Sequence, residues 1–323
     1  MNRTALSLLT LGLSLAAIVG RAAEPSADQA KAIAEIEKMG GKVTFDEKSP
    51  GKPLIGVNLN NAHVTDAGLE HFTALTKLQS LYLMKTKVTD AGLEYVKGLT
   101  QLQTLDLTIT QVTDAGLEHL KRLTKLQTLY LWGTKVTDVG LKHLKGLTDL
   151  QTLDLGATEV TGTGLEHLKG LTRLQFVNIA GTHVTDSGLE HLEGLPQLDK
   201  LGLDGTKVTA AGLEHLKGLT RLQSLNLGCT EVTDAGLAQL KGLTKLQLLD
   251  LRETEVTDAG LEQLKGLTNL QTLVLPYTQV TDAGLEHLKG LTKLECLFLA
   301  HTKVTNAGVS KLRQALPHCE ILQ

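Results

Sequence analysis

Residues 78–101 read LQSLYLMKTKVTDAGLEYVKGLTQ, and this repeating unit decides the fold of the whole chain. It recurs without insertion from Leu54 to the region of Leu312, so that about eleven copies fit. A period of about 20–50 residues is typical of solenoids, in which successive copies stack along one axis. The copies begin at Leu54, Leu78, Leu102, Leu126, Leu150, Leu174, Leu198, Leu222, Leu246, Leu270 and Leu294.

Each copy joins two periodicities. Residues 81–83 alternate apolar and variable side chains, which predicts a short strand with one buried face. Residues 90–99 place apolar side chains three apart, which predicts a short helix or 3₁₀ segment. We expect Thr89 to cap the free N–H groups at its start and Asp90 to favour the positive end of its dipole. Gly92 recurs in every copy, which indicates a steric need such as a tight turn or a close backbone contact.

The repeat resembles the leucine-rich repeats of bacterial proteins, specifically the ribonuclease-inhibitor-like type. The shared pattern is LxxLxLxxTxVTDAGLxxL, which residues 126–144 follow with Val139 in place of alanine, and the resemblance covers about residues 54–323. It implies an α/β solenoid curved as a right-handed horseshoe, with a parallel β-sheet on the concave face and short helices or 3₁₀ segments on the convex face. Many relatives place Asn at the ninth position, where this chain has Thr86 and its equivalents. Their hydroxyls can satisfy backbone groups at the turn between stacked repeats.

The N-terminal end is predicted to be a targeting segment. Residues 1–22 are expected to be a cleaved signal peptide, because Arg3 precedes an apolar run, and Gly20 and Ala22 suit a cleavage site. The apolar run has about 16 residues, fewer than the roughly 20 that span a bilayer. The chain is therefore expected to be exported to a periplasmic or extracellular space, with no membrane span after cleavage.

Two caps are predicted at the ends of the repeats. Residues 23–53 are expected to form an N-terminal cap of a helix and a strand, since Ser26 and Gln29 match a capping box and Gly40 predicts the end of the helix. Residues 315–323 are predicted to break the register of the repeat and to close the other end. The repeats are assigned to residues 54–314, and the chain is expected to be a monomer.

Composition and motif content argue against catalysis. The net charge of −3 gives no attraction to nucleic acid or to an anionic membrane. The three cysteines, Cys229, Cys296 and Cys319, are too few for a disulfide framework, and the pairing of Cys296 with Cys319 stays open. The sequence contains no Walker loop, GxSxG elbow or HExxH helix. A non-enzymatic binding protein without a cofactor is therefore expected, and an enzyme with an unrecognised site is the least favoured alternative.

The repeat varies at the positions that would line the concave face. One row lies between the paired leucines and a second row lies two residues further on, with neighbouring strands about 4.8 Å apart. Aromatic side chains are enriched at binding hot spots because they bury much area at low entropic cost. Six of the nine aromatic residues fall on or beside these rows: Tyr82, Tyr130, Trp132, Phe176, Tyr277 and Phe298. The sequence therefore predicts a protein-binding patch across four adjacent strands, formed by Tyr82, Met84, Asp106, Tyr130, Trp132 and Asp154.

Two other interpretations of this surface stay open. The rings can stack along the sheet and simply stabilise it, as cross-strand pairs do. Alternatively, Tyr130 and Trp132 can stack on sugar rings beside the two aspartates, which would make the chain a glycan-binding protein of the cell envelope. Nucleic-acid binding is disfavoured, because Lys85, Lys200 and Arg252 are scattered among acidic residues.

Seven histidines share one repeat position, a row that resembles a set of metal ligands. Each lies in a Glu-His-Leu-Lys type of context, which predicts a place on the charged outer side of the helical segment. No Cys or carboxylate joins them in a ligand spacing, and duplication of a surface residue explains the row, so no metal site is predicted. The same side carries predicted i,i+3 ion pairs at Glu118/Lys121, Glu166/Lys169 and Glu214/Lys217. The histidines are His71, His119, His143, His167, His191, His215 and His287.

Overall fold

The computed structural model describes residues 27–323, and the predicted signal peptide at residues 1–22 lies outside them. Within the described residues, one sheet of thirteen strands follows the order of the chain. β1 is antiparallel to β2, and every later pair is parallel. The strands are β1 (Lys42–Phe45), β2 (Leu54–Asn58), β3 (Ser80–Tyr82), β4 (Thr104–Asp106), β5 (Thr128–Tyr130), β6 (Thr152–Asp154), β7 (Phe176–Asn178), β8 (Lys200–Gly202), β9 (Ser224–Asn226), β10 (Leu248–Asp250), β11 (Thr272–Val274), β12 (Cys296–Phe298) and β13 (Glu320–Leu322).

The register between strands equals the sequence period. Leu81 in the middle of β3 lies opposite Leu105 of β4, and Leu105 lies opposite Leu129 of β5. These middle residues are fully buried, whereas the first and last residues of most strands are partly exposed. One apolar core runs without a break from Ala32 to Ile321. The predicted α/β solenoid is therefore confirmed. The middle residues of the strands form a buried row under the sheet, and the residues on either side of them form the exposed rows.

Short helical segments return the chain from each strand to the next. The α-helices are α1 (Ala27–Lys38), α2 (Asp90–Leu93), α3 (Asp114–Glu118), α4 (Asp138–Leu141), α5 (Asp186–Leu189), α6 (Asp234–Leu237), α7 (Asp258–Gln263), α8 (Asp282–Leu288) and α9 (Asn306–Ala315). The 3₁₀ segments are Asp66–Ala74, His119–Arg122, Lys142–Leu144, Gly162–Leu168, Glu190–Leu192, Gly212–Leu216 and Ala238–Gly242.

The segment predicted over residues 90–99 as a short helix or 3₁₀ segment is α-helical only as far as Leu93, where α2 ends. The chain continues as turns in which the N–H of Val96 donates to the carbonyl of Leu93, and the N–H of Leu99 to that of Val96, at 3.0 and 2.9 Å. Bonds to the third preceding residue repeat the side-chain direction every three residues. The apolar spacing of three therefore indicates successive tight turns more than a regular α-helix.

A carboxylate links the start of each helical segment to the next repeat. The Asp66 side chain accepts a hydrogen bond from the backbone N–H of Thr89 through Oδ1 and another from the Thr89 hydroxyl through Oδ2, both at 2.7 Å. The sequence had suggested only that such an aspartate favours the dipole of its own helix, so this bond between repeats was missed. We call the two-bond link the Asp–Thr clamp. It forms from Asp66, Asp90, Asp114, Asp138, Asp186, Asp234, Asp258 and Asp282.

The repeated glycine makes room for the clamp. A methyl group at Gly92 would lie 2.5 Å from Oδ1 of Asp66, the oxygen that holds Thr89. The predicted steric reason for this glycine is therefore a close approach between repeats, and a side chain there would push the carboxylate out of place.

The clamp is missing at two joints, because Gly162 and Ala210 occupy the aspartate position. The two joints differ in how closely the neighbouring backbones approach each other. A side chain at Gly162 would lie 2.8 Å from the Cα of Gly188, so two backbones touch there. At the other joint, a Cβ on Gly236 would lie 3.2 Å from the Cα of Ala210, much as a Cβ on Gly140 would lie 3.1 Å from the Cα of Asp114, so the backbones are spaced there as at a joint that carries the clamp.

The row of threonines represented by Thr86 satisfies backbone groups, as predicted, but it does so within its own repeat. The Thr86 hydroxyl donates to the carbonyl of Leu83, three residues earlier, at 2.7 Å. The other nine members do the same at 2.6–2.8 Å, and they are Thr110, Thr134, Thr158, Thr182, Thr206, Thr230, Thr254, Thr278 and Thr302. The hydroxyl thus closes the turn after each strand, and the predicted bond between repeats belongs to the Asp–Thr clamp instead.

Both ends of the described chain cover the core. At the N-terminal end, Ala32 and Ile36 of α1 are buried, and Gly40, at a φ of +81°, lets the N–H of Gly41 reach the carbonyl of Ile36 at 2.8 Å.

At the C-terminal end the predicted break in register is wrong, because Glu320 of β13 lies opposite Cys296, its equivalent in the preceding repeat. What changes is the helix, since α9 has ten residues and buries Val309 and Leu312 on the last repeat.

Restoring the missing aspartate at residue 210 should stabilise the solenoid. Ala210→Asp places a carboxylate opposite Thr233, and hydrogen bonds to charged groups contribute about 1.5–3 kcal/mol each before the cost of ordering the side chain. We expect a gain of about 1–2 kcal/mol in the free energy of unfolding at pH 7. Gly162→Asp is the contrasting variant and should destabilise, because its Cβ meets the Gly188 backbone. Urea unfolding of both variants is the measurement, and equal effects would contradict the steric distinction.

Candidate functional site

The face of the sheet that points away from the core carries the variable side chains, and we call it the open face. It lies where the concave face is predicted. The last residues of four neighbouring strands stand side by side there, because Tyr82, Asp106, Tyr130 and Asp154 pair in register. Met84 and Trp132 lie two residues further along their repeats. The six residues predicted as a patch therefore do lie on one continuous surface, which we call the aromatic–acidic patch.

Acidic and amide side chains on this row shape the turn that follows each strand. The Asp106 carboxylate accepts the backbone N–H of Thr108 at 2.9 Å, and Asp154 accepts that of Gly156 at 2.9 Å. This local role was not predicted from the sequence, although the recurrence of Asp or Asn at one repeat position is its signal. The same bond forms from Asn58, Asn178, Asn226 and Asp250.

The two carboxylates of the patch are screened from water and have no cation beside them. Asp106 is only 8% exposed, and no ion pair joins it or Asp154 to any Lys, Arg or His of residues 27–323. Burial raises the pKa of Asp154 above its ordinary value, against the lowering effect of bonds from the Gly156 N–H and the Asn178 amide. The negative charge of Asp154 is therefore held at an electrostatic cost.

Tyr130 stands at the centre of the patch. Burial raises the pKa of its phenol, and the nearby Asp106, Tyr82 and Asp154 raise it further. The hydroxyl therefore stays protonated at neutral pH and can donate a hydrogen bond. The aromatic ring separates the two carboxylates along the row.

Trp132 lies across a glycine of the next repeat. A methyl group on Gly156 would come within 2.8 Å of the indole Nε1 and 3.0 Å of the Asn178 amide nitrogen. The indole is nevertheless 39% exposed, so that one part is packed and another faces solvent. The lack of a side chain at Gly156 therefore makes room for the ring at this place on the surface.

A shallow depression of about 340 Å³ continues the patch toward the C-terminal repeats. Three of its lining residues, Thr152, Phe176 and Lys200, are the first residues of their strands, and they form a row that was not predicted from the sequence. Its lining residues are Tyr130, Thr152, Gln175, Phe176, Asp199 and Lys200.

The C-terminal half of the open face has compensated charges. The Arg252 guanidinium lies 3.3 Å from Oδ2 of Asp250 and 3.6 Å from Oδ1 of Asp204. Further along, the rings of Tyr277 and His301 stack with centroids 4.5 Å apart. An aspartate on this half therefore already has its cation, which those of the aromatic–acidic patch do not.

The histidine row lies on the opposite side of the solenoid, and it is more buried than its predicted place on the outer side implies. The side chains of His71, His119, His167, His191 and His215 are exposed by only 14–30%. Each has a glutamate oxygen within 2.6–3.4 Å. Burial lowers the pKa of His143 and of His167. Among residues 27–323, no three His, Cys, Asp or Glu side chains are grouped so that they could hold a metal ion.

The predicted surface ion pairs form in part. Lys121 lies 3.0 Å from Glu118, and Lys217 lies 3.0 Å from Glu214. Glu166 instead has Nδ1 of His167 at 3.3 Å, so the predicted pair with Lys169 does not form. All three cysteines are free thiols, and burial raises the pKa of Cys319 to about 11.

No helix within residues 27–323 is both long and apolar enough to cross a bilayer.

Comparisons with known proteins agree with the repeat. One family model described as leucine rich repeat matches residues 124–184, and a second matches residues 74–96, 219–240 and 242–265. No curated protein sequence matches the chain.

Several solved structures resemble the chain. The internalin inlF of Listeria monocytogenes has a TM-score of 0.58 at 21% identity, over 93% of this chain and 95% of that one. Internalin C2 of the same organism has a TM-score of 0.50 at 26% identity, over 64% of this chain and 83% of that one. A leucine-rich-repeat protein of Leptospira interrogans has a TM-score of 0.52 at 17% identity, over 90% of this chain and 97% of that one. At these identities the likeness concerns the fold.

Asp154→Asn should leave the protein at least as stable as the wild type at pH 7. Because the pKa of Asp154 is raised above its ordinary value of 3.8, the fold favours the protonated acid. The stability that this group contributes is therefore full below pH 3.8 and is lost as the pH rises through the raised pKa. Asparagine keeps the oxygen that accepts the Gly156 N–H without the buried charge. Urea unfolding between pH 3 and pH 7 should show the advantage of the variant growing with pH. A wild type that is the more stable at pH 7 would contradict this.

Gly156→Ala should displace the indole of Trp132, because the new methyl group takes the space of the ring. Trp132 is the sole tryptophan of the chain, so its fluorescence reports this site alone. We expect the emission of the variant to shift to the red as the ring becomes more exposed. Gly146→Ala is the matched control, since a Cβ at Gly146 has no neighbour within 4 Å. An unchanged spectrum for Gly156→Ala would show that the ring is not held by this contact.

Proposed function

We propose that this chain, which is a leucine-rich-repeat protein, binds a protein partner through the open face of its sheet, chiefly at the aromatic–acidic patch. A protein-interaction scaffold is the general role that the fold favours. The finer claim concerns six residues, Tyr82, Met84, Asp106, Tyr130, Trp132 and Asp154.

The observation that carries the proposal is the contrast between the two sides of each strand. The inward positions are almost all leucine and fully buried, whereas the outward ones differ from copy to copy. Large apolar groups also stay exposed, with Trp132 of the patch at 39% and Ile109 beside the patch at 40%. Exposed aromatic and apolar side chains on a rigid surface, next to desolvated polar groups, are typical of interaction hot spots.

The same arrangement supports binding in preference to catalysis. The polar groups of the open face mostly accept backbone hydrogen bonds, as Asp106 and Asp154 do, or form ion pairs, as Arg252 does. None of these contacts places a nucleophile against a base. The role that we propose is therefore non-enzymatic and needs no cofactor.

The proposed setting is outside the cytoplasm. It is supported by the apolar N-terminal run and the small residues at positions 20 and 22, which suit cleavage of a signal peptide. A monomer in a periplasmic or extracellular space would expose the whole open face to a partner.

The uncompensated carboxylates favour a protein over a glycan. Stacking of Tyr130 and Trp132 on sugar rings accounts for the aromatic side chains, but a neutral sugar leaves the charges of Asp106 and Asp154 without a counter-charge. If Trp132→Ala abolished retention on immobilised polysaccharides, the glycan alternative would replace the proposal.

Truncation of the three rings should remove partner binding and leave the fold intact. The full chain and the variant Tyr82→Ala/Tyr130→Ala/Trp132→Ala are used as baits on envelope fractions of the producing cells, and each recovered protein is then tested pairwise after purification. We expect at least a 100-fold loss of affinity, since hot-spot truncations cost about 2–4 kcal/mol each.

Tyr277→Ala is the matched control, because Tyr277 is 54% exposed on the rim of the same sheet but six strands beyond Tyr130. It should keep full affinity. Recovery of the same partners with the same affinity by the triple variant would place the binding surface elsewhere.

A further inference from the structure

Aromatic rings and carboxylates alternate along one row of the open face. Tyr82, Asp106, Tyr130 and Asp154 end four neighbouring strands and pair in register. With strands about 4.8 Å apart, the two tyrosines stand on strands about 9.6 Å apart, and the Asp106 carboxylate lies between them. Asp154 has an aromatic neighbour on one side only, because Tyr130 pairs with it from the preceding strand, Asn178 pairs with it from the following strand, and the indole of Trp132 reaches over Gly156 from the same side as Tyr130.

The negative charge at these positions is not needed for the turn that the side chains make. Asn58, Asn178 and Asn226 accept the same backbone N–H two residues on, at 3.0–3.1 Å, compared with 2.9 Å for Asp106 and Asp154. A neutral amide therefore serves the fold equally well. The carboxylate adds a charge, and the fold pays for it in desolvation.

The charge on this row has a neighbouring cation at Asp250 but none at Asp106 or Asp154. Asp250 has the Arg252 guanidinium at 3.3 Å. Asp106 and Asp154 have no such neighbour among residues 27–323, although Lys85 and Lys200 lie on the same face. Asp106 is buried to more than nine-tenths and uses one oxygen, Oδ1, for the Thr108 N–H. Its second oxygen accepts no hydrogen bond from the described residues.

The rings supply the other half of a cation site. A cation is attracted to the face of an aromatic ring when it lies within about 6 Å of the ring centre. A group held over β4, midway between the two strands that carry the tyrosines, lies about 4.8 Å from each of those strands. A guanidinium fits this arrangement better than an ammonium, because it is planar, stacks on rings and is weakly hydrated. Its N–H groups would then meet the carboxylate below.

We propose that the aromatic–acidic patch binds basic side chains, arginine above all, of an exposed segment of the protein partner. One is seated over Asp106 between Tyr82 and Tyr130, and a second is seated beside Asp154, against the side that carries Tyr130 and Trp132. This rests on the proposed function and adds the chemistry of the partner. The partner supplies the counter-charge that Arg252 supplies to Asp250 within the chain.

The experiment uses the single tryptophan as the reporter. The full chain is titrated with a short serine–glycine peptide that carries two arginines, and separately with the same peptide carrying citrulline, which keeps the shape and loses the charge. We expect the arginine peptide to change the Trp132 fluorescence with at least a 10-fold lower dissociation constant than the citrulline peptide. Equal dissociation constants, or no response to the arginine peptide, would overturn the proposal.

Asparagine variants separate charge from structure. Asp106→Asn/Asp154→Asn keeps the turns, as the native asparagines show, and should weaken binding of the arginine peptide at least 10-fold. Asp250→Asn is the matched control and should leave the dissociation constant unchanged. Undiminished binding by the double variant, with the fold checked by circular dichroism, would also overturn the proposal.

The same variants distinguish this failure from failure of the proposed function. A purified partner that still binds the double Asn variant at full affinity, yet is lost on truncation of the three rings, would retain the open face as the binding surface and reject basic side chains as its ligand. A partner that binds the triple-ring variant at full affinity would reject both.

Discussion

The rest of the structure depends on the Asp–Thr clamp between successive repeats. A single copy of the repeat has too little core to fold alone, so stability must come from the contacts between copies. The leucines supply most of this, but they are non-directional. The carboxylate of Asp90 adds direction, because it holds both the backbone N–H and the hydroxyl of Thr113 at 2.7 Å. At the joints that carry the clamp, one repeat is thereby held at a defined position relative to the next.

Much of this architecture could be predicted from the sequence, because the period reports on the stack. The position of Leu81 in a strand, its burial and its partner Leu105 in the following repeat all follow from the period. The clamp did not follow. Thr89 and Asp90 are adjacent in the chain, which suggested a local cap, whereas the partner of Asp90 is Thr113 of the next repeat. Thr89 does accept the N–H of Ala91 at 3.3 Å, so the predicted cap exists beside the clamp.

The sequence predicted which residues lie on the open face, but it did not predict the hydrogen bonds that their side chains form. Alternation along the strand places Tyr82 and Asp106 outward whatever their role. The bond from Asp106 to the Thr108 N–H depends on backbone geometry after the strand, which the repeat pattern does not report. Gly156 is a similar case. Its lack of a side chain has meaning only once Trp132 is known to lie across it from the preceding repeat.

The residues that end the strands include both asparagines and aspartates, and comparing them separates what the fold needs from what it does not. Every local requirement of the turn is met by Asn178, so a charge at Asp154 is a departure from what stability alone favours. Such departures are expected at functional sites. The clamp then acquires a second consequence, because it keeps β3 to β6 at fixed spacing. The rings of Tyr82 and Tyr130 therefore stay on strands at fixed positions on either side of Asp106, and a fixed pair of rings beside a carboxylate is an arrangement that recognises a cation.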